Sequence, residues 1–211
     1  MTTRFLLADD HALFRHGLER VLAEGFGGAA FGHAGEPAEA LRLARSEDWD
    51  LVILDISFGG KSGLDVLKEI RQFRPKLPVL VLSMHPEKQF AVRALKAGAA
   101  GYVTKKVVSE ELLKAVRRVL AGGRWVTQEA AERLAAEIGL PADKLPHEVL
   151  SDREFQVFRL LAGGATVKAI AAELGVSVQT VSTYRSRVLE KMRLESNTDL
   201  TQYALHHRLI G

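Results

Sequence analysis

Cysteine is missing from all 211 residues, which excludes disulfides and thiolate metal sites. That absence suits a reducing compartment. No uninterrupted apolar run approaches the roughly 18 residues that a membrane-spanning helix needs. The first apolar run starts within a few residues of the N-terminus and leaves no room there for a signal peptide, so the expected location is the cytoplasm, with no membrane partner. One-sided charge is also lacking: the formal net charge is only +3, too little for the chain as a whole to announce a nucleic-acid binder. Apolar residues are plentiful at 47%, against 26% charged, the balance of a folded globular chain rather than a disordered one. The length suits two small domains. There is no internal repeat and no low-complexity tract.

The first ~121 residues alternate short apolar runs with helical patterns. Strands are predicted at 4–8, 29–33, 50–54, 78–82 and 100–103, and helices at 12–23, 36–46, 63–73, 87–97 and 109–121. The last helix places Leu112, Leu113, Val116, Val119 and Leu120 on one buried face. Five β-α units imply a five-stranded parallel sheet with helices on both sides, a doubly wound α/β fold of the flavodoxin-like kind. Gly122-Gly123 ends this part, and residues 123–147 read as a linker holding a short helix, Gln128 to Ile138, followed by Gly139, Pro141 and Pro146. From residue 148 the pattern is all-helical: four helices in a second, smaller domain. Ser151-Asp152-Arg153-Glu154 is a capping box. Helices follow to Ala162, over Val167–Leu174, from Ser177 as N-cap to about Arg193, and after Asn197. The domains are therefore 1–122, 123–147 (linker) and 148–211.

Charge is informative only locally. Residues 148–211 carry a net +1, but 177–193 sets Arg185, Arg187, Lys191 and Arg193 against Glu190 alone. A helix this basic is the local pattern that matters for DNA.

The candidate site of the first domain lies where strands should end. Asp9 and Asp10 follow the first apolar run, Asp55 the third, Ser83 the fourth, and Lys105 comes just after the fifth. Parallel α/β sheets bind ligands at that edge. Three clustered carboxylates would not all stay ionised without compensation. A hard, oxygen-seeking cation such as Mg2+, together with the lysine, supplies it. The set reads as a site for handling phosphate.

On these residues the chain resembles the receiver domain of two-component response regulators. The stretches are Ala8-Asp9-Asp10-His11, Ile53-Leu54-Asp55-Ile56, Val81-Leu82-Ser83-Met84-His85 and Ala97-Gly98 through Thr104-Lys105. The resemblance implies that Asp55 is the phosphoacceptor, a carboxylate nucleophile toward the phosphohistidine of a sensor histidine kinase. It makes Asp9, Asp10, Asp55 and the backbone carbonyl of Ser57 the Mg2+ ligands. Lys105 would pair with phosphoryl oxygens, Ser83 would donate to them, and Tyr102 would move inward as Ser83 leaves its resting place. Neither His11 nor His85 is assigned as phosphodonor or metal ligand. Two departures bear on phosphorylation rate and phosphoryl lifetime: Phe58-Gly59 stands where many receivers have Met-Pro, and Lys106 where many have proline or an acidic residue.

The C-terminal helices resemble the LuxR-type helix-turn-helix of the NarL/FixJ response regulators. The resemblance rests on Leu150-Ser151-Asp152-Arg153-Glu154, Lys168 through Leu174, Ser177 through Arg185, Leu189-Glu190-Lys191-Met192 and Asn197. It places Val167–Leu174 as the positioning helix and 177–193 in the major groove. At about 100° per residue, Val181, Val188 and Met192 share a core face. Gln179, Thr183, Ser186 and Glu190 point away, with Ser182 at the edge. Base contacts are expected from Gln179, Thr180, Ser182, Thr183 and Ser186, and phosphate contacts from Arg187 and Lys168. Arg185 is expected in an internal ion pair.

The two resemblances together imply a transcription factor in which phosphorylation controls homodimerisation and binding to double-stranded promoter DNA. It is not expected to be an enzyme beyond Mg2+-dependent self-phosphorylation from small phosphodonors and self-hydrolysis. Three other classes fit less well. A small-molecule-sensing regulator would need none of the strand-end set. A pseudo-receiver that binds DNA without phosphorylation would not need all of it. A phosphatase of the haloacid-dehalogenase type would carry a second aspartate where Ser57 stands.

Overall fold

Apolar residues on both faces of the central strands call for helices on both sides, and the sheet is covered in that way. The computed structural model describes residues 2–58, 61–84, 87–107, 109–128, 130–132, 134 and 145–210, without the side chains of 61 and 87–89. The chain forms two compact units, Met1–Leu140 and Pro141–Gly211. In the first, the main strands are β1 (Arg4–Ala8), β2 (Ala30–Ala34), β3 (Leu51–Asp55), β6 (Val79–Ser83) and β7 (Gly101–Thr104). Between β3 and β6 lies a small antiparallel hairpin, β4 (Ser57–Phe58) and β5 (Lys61–Ser62). The five main strands are all parallel, in the order β2-β1-β3-β6-β7. This is the flavodoxin-like order, with the switch point between β1 and β3.

Alternation along the strands divides the core. Phe5, Leu7, Leu51, Ile53, Leu80, Leu82 and Val103 form one cluster with Leu18 and Leu22 of α1 (Ala12–Gly25) and Leu112, Ala115, Val116 and Val119 of α5 (Ser109–Leu120). The opposite side is covered by α2 (Pro37–Ser46) and α3 (Gly63–Phe73), which pack on each other. Helix α4 (Glu87–Lys96) packs against β7 and buries Phe90, Ala91, Ala94 and Leu95.

Residues just after α5 extend the sheet. Trp125 forms a parallel bridge with Gly101, donating its N–H to the Ala100 carbonyl (3.0 Å) and accepting from the Tyr102 N–H (3.3 Å). The Gly101 position requires glycine, because a Cβ there would lie 2.7 Å from the Trp125 carbonyl oxygen. Of the short helix expected at 128–138, residues 128, 130–132 and 134 are helical, and the others, like Gly139 and Pro141, lie outside the described residues.

The second unit holds a short turn of helix, Pro146–Glu148, then α6 (Asp152–Ala162), α7 (Val167–Glu173), α8 (Val178–Met192) and α9 (Asn197–His206). Ser151, Thr166 and Ser177 each accept a backbone N–H as N-caps. The cap of α9 is Ser196, which forms a capping box with Asp199, rather than Asn197. The core seam of α8 is Val181, Val188 and Met192, as its periodicity requires.

The capping box of α6 also ties helices together. One Glu154 carboxylate oxygen accepts from the Ser151 N–H (2.8 Å) and from Lys191 Nζ on α8 (2.6 Å). Burial alone would raise the Glu154 pKa, but the Lys191 and Ser151 hydrogen bonds outweigh it and hold it below the ordinary glutamate range. A depressed folded value means stability present above the unfolded value and lost as pH falls through the folded one. Glu154→Ala is expected to lower the stability of this domain by about 1 kcal/mol near neutral pH, since it removes half of a capping box, while the Lys191 ammonium, on a side chain 42% exposed, returns to water. Urea unfolding at pH 7 checks this, and the gap between variant and wild type should narrow as pH falls below 4.

Among the described residues no helix is long and apolar enough to cross a membrane.

Candidate functional site

Parallel register brings the strand ends together. Ala8 pairs with Leu54, Asp55 with Leu82, and Ser83 with Thr104, so the residues at and just beyond these positions share one edge. Asp9 and Asp55 are buried there at 4% and 3% exposure. Lys105 reaches in from the end of β7, its backbone N–H fixed to the Ser83 carbonyl (2.7 Å). Its Nζ lies 2.5 Å from Asp9 Oδ2 and 2.8 Å from Asp55 Oδ2. The same ammonium stands 4.4 Å from the centre of the Phe14 ring, a cation–π contact that adds to its hold.

Backbone geometry holds the acids. The Asp9 N–H donates to the Ala34 carbonyl (3.1 Å), and the Arg15 guanidinium donates to the Asp9 carbonyl. The Ser57 N–H donates to Asp55 Oδ1 (3.2 Å), so Ser57 belongs to the turn that carries the acceptor. Gly63 closes that turn, with its N–H on the Ile56 carbonyl (2.8 Å). A Cβ at Gly63 would lie 1.9 Å from the Asp55 carbonyl oxygen and 2.9 Å from Ile56 Cα. The atoms met are all backbone of Asp55–Ile56 and cannot yield cheaply, so Gly63→Ala is expected to cost roughly 3 kcal/mol and to displace Asp55. Thermal unfolding reads the first effect, and the yield of acetyl-phosphate labelling reads the second.

The electrostatics follow from this packing. Burial pushes the Asp55 carboxyl above the usual aspartate range, the Lys105 ammonium pulls it down, and the Asp9 charge pushes it up again. Burial works against the Lys105 charge, but Asp55 and Asp9 outweigh it and hold its proton more tightly than in water. A second cation would relieve the remaining repulsion. One candidate ligand atom from each of Asp9, Asp10, His11 and Asp55 falls within 4.8 Å of all the others. These oxygens suit a hard divalent ion.

The other expected residues are distributed as follows. Ser83 is fully buried at the end of β6, and Tyr102 is buried in β7 at 1% exposure. Phe58 is also fully buried, while Lys106 is exposed. His85 and Gly59 lie outside the described residues. Neither the β4–β5 hairpin nor Arg15 on the Asp9 carbonyl is signalled by any spacing in the sequence, whereas the His11 ring stands beside the acids as its place after Asp10 implies, with Nδ1 2.8 Å from Asp10 Oδ1.

On the second unit, Lys168, Gln179, Thr183, Ser186 and Arg187 are exposed, and Ser182 is half-buried. The hydroxyls of Ser182, Thr183 and Ser186 donate to the carbonyls of Val178, Gln179 and Ser182. Thr180 is different: its N–H donates to Ser177 Oγ (3.0 Å) and its hydroxyl bonds the same atom (2.8 Å), so it is part of the cap. Arg185 corrects another expectation. Its Nε donates to Asn197 Oδ1 (2.8 Å), a hydrogen bond to a neutral amide rather than an ion pair. Of the four cations over 177–193, Arg187, Lys191 and Arg193 are exposed, with Lys191 held by Glu154, and Arg185 is half-buried. Val178, at the helix start, is an apolar side chain left 50% exposed.

Two family models match these two units. The response regulator receiver domain covers residues 5–117, and the bacterial regulatory proteins of the luxR family cover 148–204. The chain belongs to the NarL/FixJ family of response regulators. Its similarity to known members runs end to end. The response regulator GacA of Pseudomonas viridiflava is 35% identical over 98% of this chain and 97% of its own. UvrY of Escherichia coli is 31% identical over 97% and 94%. Among solved structures, RcsB of Salmonella enterica serovar Typhimurium, bound to promoter rprA in the presence of the phosphomimetic BeF3-, aligns over 96% of this chain and 98% of its own with a TM-score of 0.61 and 25% identity. A LuxR-family regulator from Aurantimonas is 36% identical over 65% of this chain and 99% of its own, with a TM-score of 0.59. As a response regulator, the chain joins a receiver to a LuxR-type DNA-binding domain.

Proposed function

We propose that Asp55 accepts a phosphoryl group from a sensor histidine kinase and that the modified receiver controls dimerisation and promoter binding. The observation that carries this reading is a buried carboxylate at a sheet edge, flanked by an ammonium at 2.8 Å and by further acids. In the transfer, an Asp55 carboxylate oxygen attacks phosphorus, the P–N bond to the kinase imidazole breaks, and the imidazole keeps the electron pair. Asp9, Asp10, Asp55 and the Ser57 carbonyl would hold Mg2+, which supplies charge neutralisation for the phosphoryl oxygens. Lys105 leaves the carboxylates for those oxygens, and Ser83 donates its hydroxyl to them. A phosphoryl group brings about −1.5 to −2 charges and strong acceptors, enough to reorganise both groups. Tyr102, on the strand between Ser83 and the Trp125 bridge, is placed to pass the change along β7. Acetyl phosphate with Mg2+ is expected to add one phosphoryl group; an unmodified protein after exposure to both this donor and a cognate kinase contradicts the reading.

The chain would act in the cytoplasm as a DNA-binding homodimer and not as an enzyme, apart from self-phosphorylation and self-hydrolysis. The RcsB promoter complex supports the DNA side. With α8 in the major groove, Gln179, Ser182, Thr183 and Ser186 face base edges, and Val178 suits contact with a thymine methyl. Thr180 contributes through the cap it completes. Lys168 and Arg187 suit phosphates. Gln179→Ala is expected to lose about 1–3 kcal/mol of discrimination at one base position. Arg187→Ala is expected to weaken all sequences alike and to lower the salt slope by about 1. Binding titrations at several salt concentrations on matched and single-mismatch sites distinguish the two.

A further inference from the structure

Helix α1 carries a glycine that its backbone does not need. Gly17 lies inside α1 and takes no positive φ, so a better helix former would suit the position. Crowding does not require it either, since a Cβ at Gly17 would meet nothing within 4 Å. About two turns on, a Cβ at Gly25 would run into Leu113, so α1 and α5 touch at that end. Towards Gly17 the helices part, and a groove of about 370 Å3 opens between them. Its walls include Leu13, Phe14 and Val21 of α1, Leu82 of β6 and Leu112 of α5, and Lys105 is its one charged side chain among the described residues. Small-molecule pockets start at about 300 Å3, whereas a single helical turn, about 10 Å across and about 5.4 Å long, would overfill this one.

Lys105 offers the groove a donor. Its side chain is 5% exposed, and its Nζ has two oxygen partners, Asp9 Oδ2 and Asp55 Oδ2. An ammonium carries three N–H groups. Among the described residues the third has only the face of Phe14 to meet, 4.4 Å away at the ring centre, and Phe14 itself lines the groove. We propose that this groove binds a small neutral molecule, apolar over most of its surface and carrying one hydrogen-bond acceptor, of the ketone class. Apolar walls make a buried charge costly on either sign. An anion would also come under Asp9 and Asp55 just behind Lys105, and a cation would meet the ammonium first. A carbonyl oxygen takes the remaining N–H and displaces neither carboxylate, while the apolar body of the ligand covers the leucines and fills the space beside Gly17.

The test titrates acetophenone into the 15N-labelled full chain without divalent metal and follows the backbone amide signals. Saturable shifts are expected at Leu13, Gly17, Val107 and Leu112, with a Kd of about 1 mM, in keeping with so small a ligand. Ethylbenzene keeps the shape but lacks the oxygen, and it should bind at least about fivefold more weakly. Benzoate and benzylammonium should leave the groove signals in place. Gly17→Leu puts a side chain into the open space and should weaken acetophenone at least about tenfold, with its amide spectrum showing that it is folded. The order of the four probes on wild type does not depend on that variant. Ethylbenzene binding as tightly as acetophenone overturns the role of Lys105, and benzoate or benzylammonium binding as tightly overturns the neutral ligand class. No saturable shift at these residues, or unchanged affinity in Gly17→Leu, overturns the site. Groove signals that move with protein concentration and not with acetophenone also overturn it and assign the face to a second copy of the chain.

Discussion

Asp55→Asn is expected to abolish phosphoryl acceptance completely, from acetyl phosphate and from a kinase alike. The amide is nearly the same size, so the buried position stays filled. It has no anionic oxygen to attack phosphorus and cannot form the mixed anhydride. The substitution also removes a charge that the fold tolerates poorly, since burial and Asp9 both act against the ionised form of Asp55. In the absence of Mg2+ the variant should therefore be no less stable than wild type near neutral pH. Intact-protein mass spectrometry after labelling and a thermal scan without metal check the two halves together. A labelled, folded Asp55→Asn protein would move the acceptor elsewhere in the chain.

Removing the lysine should do the opposite to stability. Lys105 Nζ stands between Asp9 Oδ2 and Asp55 Oδ2, and all three side chains are at most 5% exposed. Lys105→Ala leaves two buried carboxylates facing each other, and breaking such a pair costs about 3 kcal/mol or more. The pH dependence follows from the direction of the Asp55 shift. Its folded value lies above the ordinary 3.8 because of burial, with Lys105 pulling it down and Asp9 pushing it up. Without Lys105 it rises further. A raised folded value gives stability that is full below the unfolded value and lost as pH climbs through the folded one. The deficit of the variant should thus be small under acidic conditions and large at pH 7.5. As the cation proposed for the folded site, Mg2+ should recover much of the deficit by mass action. Urea unfolding at both pH values, with and without Mg2+, gives four numbers; a deficit independent of both pH and metal would assign Lys105 a packing role only.

The legible parts of this protein were those that depend on neighbours in sequence. Apolar runs such as Leu51–Leu54 mark strands covered on both faces, and the residues that follow them must share the sheet's C-terminal edge once the order is parallel. Ser151 with Glu154, and the stripe Val181, Val188 and Met192, follow from helical spacing. What stayed hidden was decided by tertiary placement. Lys191 looks like an available cation on a basic helix, yet it is bound to Glu154 on α6, and Arg185, expected to be engaged internally, finds the neutral Asn197 on α9 instead of an acid. No spacing rule names partners across 37 or 12 positions. The β4–β5 strands are two residues each, too short for any periodicity to register. Trp125 reads as the start of a connector, but the unpaired edge of β7 captures its backbone.

The most direct measurement is promoter affinity at one fixed salt concentration, with and without beryllofluoride and Mg2+, for wild type and Asp55→Asn. Salt must be fixed because phosphate contacts make affinity steeply ionic-strength-dependent. Tighter binding by wild type on adding beryllofluoride, with no change in Asp55→Asn, is the expected result. Specific binding that is identical in all four conditions would contradict control by the receiver.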